Sequence, residues 1–400
     1  MTGRLAGLLF LLAVIVAALV TLMIVQPEPS VDRLVLEPRA YVKLDGWAED
    51  DHAPALDAFR KSCARLLTFS DEASLGANGI AGTVADWRAA CEAAMALNVF
   101  SADDARRFFQ TWFRAVAIQN NSDDLGLFTG YYEPVLEGSR TRNTRFDVPV
   151  YPRPEGHLTV ELGAFRESLA GQRLVGRLEG SRLVPVETRA EIDAGALDDG
   201  PEPLLWLDSA VDAFFMQIQG SARIDLENGT TVRVGYAGSN GHPYTAIGRV
   251  LVARGALAED EVSAQSIRAW LEANPGEAAA VMQENESFVF FRLLEEDGPV
   301  GAQGVVLTPG RSLALDRRWL PLGVPVFVDT TVESGDSPAR VRRLMVAQDV
   351  GGAIKGIVRG DVYWGSGDAA GEIAGRMKQF GRYFALLPRT LLERRARKEN

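Results

Sequence analysis

The hydrophobic pattern of this chain changes character three times. From Leu5 to Val25 no charged residue occurs, with Arg4 before the stretch and Gln26-Pro-Glu-Pro-Ser30 after it. Twenty-one residues rising about 1.5 Å each span roughly 30 Å, the thickness of a bilayer core. The stretch is apolar all round, which argues against an amphipathic core helix. A cleavable signal has a shorter apolar core and a small-residue cleavage site. Here Thr21-Leu-Met-Ile-Val25 leads into no A-x-A, so an uncleaved anchor is preferred over a signal segment. Arg4 on the cytoplasmic side would leave residues 30–400 outside the cytoplasm. No cysteine lies nearby, which excludes lipid attachment there.

After a Pro- and charge-rich linker over residues 26–50, the period becomes helical. Leu56, Phe59, Cys63, Leu66 and Leu67 define one helix face. Thr83 caps a second helix carrying Trp87, Cys91 and Met95 on one face. Ser101-Ala-Asp-Asp104 reads as a capping box ahead of Phe108, Phe109, Trp112, Phe113 and Val116, an aromatic stripe best read as core. The middle section mixes strands and helices. Thr188-Arg-Ala-Glu191 is another capping box. Phe214 to Ser221 reads as a strand with Gln217 and Gln219 on one face. A polar loop, Gly235 to Tyr244, precedes a helix near Ala246–Ala253.

From Phe288 the pattern changes again. Runs beginning at Phe288, Gly304, Pro325 and Arg343 are short, apolar and bounded by Gly and Pro, as in a small β-barrel or sandwich. Between Gly351 and Gly381, 9 of 31 residues are glycine, against 39 in 400 overall. Ile354, Ile357, Val362, Tyr363 and Trp364 interleave with them, which favours tight ordered turns over a linker. Arg389 to Arg397 reads as a basic helical tail with a solvated face. The fold class is therefore α+β, mainly β with an N-terminal helical block.

Four hundred residues exceed one ordinary core and predict two domains. A net charge of −11 argues against nucleic-acid binding, which needs a basic footprint. Gly351-Gly-Ala-Ile-Lys355-Gly356 lacks the spacing and hydroxyl residue of a phosphate-binding loop. Three histidines without H-E-x-x-H or C-x-x-C give no zinc signature, and nothing indicates a cofactor. Cys63 and Cys91 are the whole cysteine content. In an exported protein they permit one disulfide, the preferred reading; two buried thiols are the alternative.

Candidate chemistry concentrates near the C-terminus. Asp349 ends an apolar run, and Asp361 follows the Gly-rich loop and precedes Val362-Tyr363-Trp364. Carboxylates beside aromatics suit acid/base work on a sugar. Two assignments are open: a two-carboxylate glycosidase, or one acting carboxylate with the other bracing the loop through its N–H groups and staying ionised.

Five motifs then stand in one order: Phe128-Thr-Gly-Tyr-Tyr-Glu-Pro134, Gln217-Ile-Gln-Gly-Ser221, Tyr236-Ala-Gly-Ser-Asn-Gly-His-Pro-Tyr244, Leu307-Thr-Pro-Gly-Arg-Ser-Leu-Ala-Leu-Asp316 and Ala347-Gln-Asp-Val-Gly-Gly-Ala-Ile-Lys-Gly356. Together they resemble the membrane-bound lytic murein transglycosylase A family, with its 3D-type C-terminal motif, over residues 40–388. Members are often lipoproteins with a modified cysteine, from which this chain departs. The resemblance implies a double-psi β-barrel domain over residues 40–132 and 290–388. A mostly β domain, 133–289, would interrupt it, with 1–29 as anchor or signal and 389–400 as tail. Peptidoglycan glycan strands would lie in the groove between the domains, in a bacterial cell envelope, with the membrane as the other partner.

Asp361 matches the family's catalytic acid, implying a single aspartate that protonates the leaving oxygen and then deprotonates the muramic C6 hydroxyl. Its pKa must then be raised, so the Lys355 ammonium is expected not to contact it. Asp349 and Asp368 are expected in support. Thr129, Tyr131, Tyr132, Gln217, Gln219, Ser221, Tyr236 and Lys355 are expected along the substrate path. The alternatives are a hydrolytic muramidase or endoglucanase with Asp349 as base, and a non-catalytic, expansin-like wall-binding module.

Overall fold

The computed structural model describes residues 31–399 apart from 77–78, 98–100, 170–171 and 335–336. The apolar segment 5–25 lies outside the described residues. Among the described residues no helix is long and apolar enough to cross a membrane. Residues 34–400 form one compact unit.

Eight strands make the main sheet: β1 (Leu34–Arg39), β2 (Phe113–Asn120), β3 (Gly126–Glu133), β4 (Ser312–Leu315), β5 (Pro325–Ser334), β6 (Ser337–Asp349), β7 (Arg359–Ser366) and β8 (Lys378–Pro388). Their order is β1-β2-β8-β5-β6-β4-β7-β3, and a further pairing of β8 with β3 closes six of them into a barrel-like ring. The β4–β6 and β7–β3 pairs are parallel, the others antiparallel. All four residues of β4 and the run Leu344–Ala347 are buried. Such continuous apolar runs follow from covering both faces of a strand. The barrel interior takes one face, and helices Ala53–Leu66, Val84–Ala96 and Ala102–Trp112 share the same core on the outside. Cys63 and Cys91, both fully buried, form a disulfide between the first two helices.

Four local readings are corrected. Leu34–Arg39, expected in the linker, pairs with β2. The helix after Ser101 stops at Trp112, so Phe113 and Val116 belong to β2 rather than to a helical stripe. Met95 is 52% exposed, because the face of its helix that reaches the core carries Val84, Trp87 and Cys91. Gly304–Thr308 is not a strand; Gly304 turns at positive φ, and only an isolated Val300–Val306 bridge forms.

Between β3 and β4 the chain builds a second, six-stranded sheet. Its order is Val289–Leu294, Thr231–Ser239, Ser221–Leu226, Val135–Ser139, Leu205–Leu207 and Val148–Val150. This sheet extends to Leu294, past the expected 289/290 boundary. Ala210–Gln219 is a helix, not the strand expected over 214–221. Ser209 caps it by accepting from Asp212 N, and Gly220 at φ 79° ends it. Four consecutive buried residues, Ala213–Met216, mask any period, so strand and helix read alike there. The basic tail is not a purely solvated helix. Leu391 is buried and Arg394 pairs with the nearly buried Asp86 at 2.6 Å.

Candidate active site

One lateral row across the barrel collects the candidate chemistry. Asp349 at the end of β6 is in register with Ala314 of β4, Ala314 with Asp361 of β7, Asp361 with Thr129 of β3, and Thr129 with Lys378 of β8. Residues directly paired across strands share a face. The two aspartates are therefore two strand spacings apart, about 9–10 Å between Cα atoms. The small, buried Ala314 stands between them. Glycines fix the local geometry. A Cβ on Gly360 would lie 2.7 Å from the Phe128 ring, which instead fills the barrel interior. A Cβ on Gly130 would lie 2.8 Å from Ala374 Cα and from the Trp364 ring, so helix Asp368–Arg376 packs on bare backbone.

Asp361 is half-buried. Its Oδ1 accepts from Thr129 Oγ1 at 2.7 Å, and Thr129 Oγ1 accepts from Arg359 Nη2 at 2.8 Å. Among the described residues Oδ2 has no hydrogen-bond partner. Loss of hydration raises the Asp361 pKa to about 6, against the Arg359 charge and the Thr129 bond, with the nearby Asp349 charge pushing the same way as burial.

Asp349 braces the first residue of the loop and is also held from outside it. It accepts from Ala302 N at 2.8 Å and Val350 N at 2.9 Å on Oδ1, and from Tyr131 Oη at 3.0 Å on Oδ2. Burial outweighs these bonds and pushes its pKa above the ordinary aspartate value. Asp316 also braces the glycine loop, accepting from Gly356 N at 3.0 Å and pairing with Arg318.

The remaining expected residues separate. Tyr131 is tied to Asp349 and packs on Tyr363, ring centroids 5.3 Å apart. Tyr132 lies on the other strand face against Gly371, and its N–H donates to Gln219 Oε1 at 3.0 Å. Gln217 Oε1 accepts from the buried Arg189 at 2.7 Å and from Val289 N, a structural duty. Ser221 opens a strand of the second sheet, and Tyr236 is half-exposed on its neighbour. Asp368 is exposed at a helix start, joined to neither carboxylate. Lys355 is exposed; the cation acting on Asp361 is Arg359. Arg359 went unnoticed in the sequence although it lies two residues before Asp361, hence on the same strand face. Ala314 and Asp316 gave no signal beyond their place in the fourth motif.

A separate cavity of about 590 Å³ is lined by residues that include Asp50, Arg311, Arg340, Arg342 and Arg343, but by neither aspartate of the row. Its charges are largely consumed in ion pairs, Arg311–Asp50 and Arg342–Asp329, each at 2.9 Å. We therefore assign it to structure. Among the described residues no group of three or more His, Cys, Asp or Glu is placed to hold a metal.

Two family models match the chain: the MltA specific insert domain over residues 127–292, and the 3D domain over residues 311–387. The membrane-bound lytic murein transglycosylase A of Escherichia coli (strain K12) is 34% identical over 297 residues, 69% of this chain and 74% of the relative. The chain belongs to the membrane-bound lytic murein transglycosylase A family. A solved member, the membrane-bound lytic murein transglycosylase from Agrobacterium tumefaciens, is 33% identical with a TM-score of 0.79, covering 90% of this chain and 99% of its own. The E. coli member with bound chitohexaose is 29% identical with a TM-score of 0.63, covering 90% and 92%. The insert model of this transglycosylase family begins on β3 and ends on the last strand of the second sheet. The 3D model begins just before β4 and ends on β8.

Proposed function

We propose that this protein is a peptidoglycan lytic transglycosylase. It cleaves the β-1,4 bond between N-acetylmuramic acid and N-acetylglucosamine without water and leaves 1,6-anhydromuramoyl ends. The observation that carries this is Asp361: a carboxyl with one oxygen held by Thr129, the other unoccupied, and a pKa of about 6. Such a group is half protonated near pH 6 and mostly protonated below it, which makes it a competent acid in mildly acidic solution. Its Oδ2 proton passes to the glycosidic oxygen as the C1–O bond breaks. The muramic C6 oxygen then bonds C1 and returns its own proton to Oδ2, so Asp361 ends as it began. The substrate supplies the nucleophile, and one carboxyl serves twice.

The hydrolytic alternative needs Asp349 as base at the opposite face. Its oxygens are already engaged by Ala302 N, Val350 N and Tyr131 Oη, which disfavours that role. Asp349 instead holds Tyr131, and its charge adds to burial in raising the Asp361 pKa. Phe380, 73% exposed and paired with Leu127 beside Thr129, offers a ring face to a pyranose on the same side of the sheet. The two parallel pairs in a closed six-strand ring support a double-psi barrel. The protein would act in the cell envelope, held by residues 5–25.

The test is digestion of purified sacculi by wild type and Asp361→Asn, with mass spectrometry of the products. Muropeptides one water lighter than hydrolytic products, absent with the variant, are expected. Reducing ends would sink the reading in favour of a hydrolase, and unchanged solubilisation by the variant would favour a binding module.

A further inference from the structure

Thr129 Oγ1 has two neighbours, Asp361 Oδ1 at 2.7 Å and Arg359 Nη2 at 2.8 Å. A guanidinium only donates. The hydroxyl oxygen therefore accepts from Arg359, and among the described residues its single hydrogen has Asp361 as its acceptor. Arg359 is itself held across the parallel β3–β7 pair, donating to Leu127 O at 3.3 Å and to Gly360 O. The direction of this chain of bonds is thus set from its arginine end.

We propose that Arg359 is a positioning residue that fixes the Thr129 hydroxyl as a permanent donor to Asp361 Oδ1, so that the transferable proton is carried on Oδ2. This rests on the reading of Asp361 as the acid. Without the arginine, the hydroxyl can turn and accept, and a proton on Oδ1 would point at Thr129 rather than at substrate. Negative charge left on the carboxyl after proton transfer would also lose the field of the guanidinium. The charged and titratable groups around Asp361 are Arg359 on its own strand, Asp349 on β6, Tyr131 on β3 and Lys378 on β8. Asp349 and Tyr131 bond each other, which leaves Arg359 as the cation whose donor reaches the carboxyl through one hydroxyl.

The experiment is a pH–rate profile from pH 4 to 8 on sacculi, with the full chain and release of anhydro product as readout. Wild type, Arg359→Met, Thr129→Val, Thr129→Ser and Asp361→Asn are compared. Arg359→Met and Thr129→Val should each move the alkaline limb to higher pH. Each should lower kcat by roughly ten- to a hundredfold with KM little changed, the range expected of a misdirected acid. Their double variant should lose little more than either alone, because the arginine acts through the hydroxyl. Thr129→Ser should keep the wild-type limb. A limb that stays put in Arg359→Met while only the melting temperature falls would overturn the proposal and leave Arg359 a strand tie. If Arg359→Met does not fold, an identical limb in Thr129→Val and Thr129→Ser overturns it. Anhydro product from Asp361→Asn would instead defeat the underlying reading, a distinct outcome.

Discussion

At the scale of single residues, the chemistry proposed for Asp361 has a stability cost. An unfolded aspartate titrates near 3.9, whereas the folded group titrates at about 6. Below about pH 4 both states are protonated and no cost arises. As pH rises from about 4 through 6, the unfolded chain releases its proton first and folding loses stability; above 6 the loss is complete. Asp361→Asn should therefore be more stable than wild type above pH 6, by about 3 kcal/mol, with the difference vanishing below about pH 4. Thermal melts across that range test it; equal melting temperatures at pH 8 would mean that burial does not act on this carboxyl as argued. Asp361 stood out in the sequence as one of two candidate carboxylates because it follows a Gly-rich run and precedes aromatics, and the choice over Asp349 came from the family resemblance. Asp349's environment was not legible, since its donors come from Val350 beside it, from Ala302, 47 residues away, and from Tyr131, 218 away. No local spacing encodes such partners.

At the scale of elements, caps and breakers were the readable marks. Ser101, Thr83 and Thr188 each begin helices where expected, because a side-chain oxygen or carboxylate meets an orphan backbone N–H. The 214–219 segment was misread because four buried residues in a row erase the difference between periods of 2 and 3.6. Gly130 lets helix Asp368–Arg376 approach the backbone of β3 closely. Gly130→Ala should push that helix off β3 and destabilise by about 1–3 kcal/mol, the usual cost of overpacking. Chemical denaturation would show it; an unchanged midpoint would mean the helix shifts freely. The disulfide acts on the outer helices instead. Cys63 and Cys91 are 28 residues apart, a loop whose closure is worth about 3–4 kcal/mol in the chain-entropy model. The double Ala variant should lose stability on that scale, measured by urea melts. Loss under 1 kcal/mol would place the stabilisation in helix packing alone.

At the scale of the whole molecule, two sheets must be held to form one body. The chain leaves the barrel at Glu133, whose side chain is fully buried and pairs with Arg233 of the second sheet at 3.2 Å. Two further ties cross the same junction: Tyr132 N to Gln219 Oε1 at 3.0 Å, and Gln265 Nε2 to Gly371 O at 3.2 Å. The family resemblance implied an insertion between two barrel segments, but the residues that tie the second sheet to the first were not legible in the sequence. Arg233 stands 100 positions from Glu133 in an ordinary alternating strand. Removing one partner of a buried pair leaves an uncompensated charge, whereas removing both charges is far milder. Arg233→Met should therefore destabilise by about 3–5 kcal/mol, and Glu133→Gln combined with Arg233→Met should recover most of that loss. Denaturation midpoints decide this, and hydrogen exchange adds location. Loosening confined to β3, β7 and the Thr231–Ser239 strand is expected in the single variant, because Glu133 also accepts from Ser366 at the end of β7. A double variant as unstable as the single would show that the two sheets are held by the Tyr132 and Gln265 bonds and apolar packing, with the ion pair a bystander.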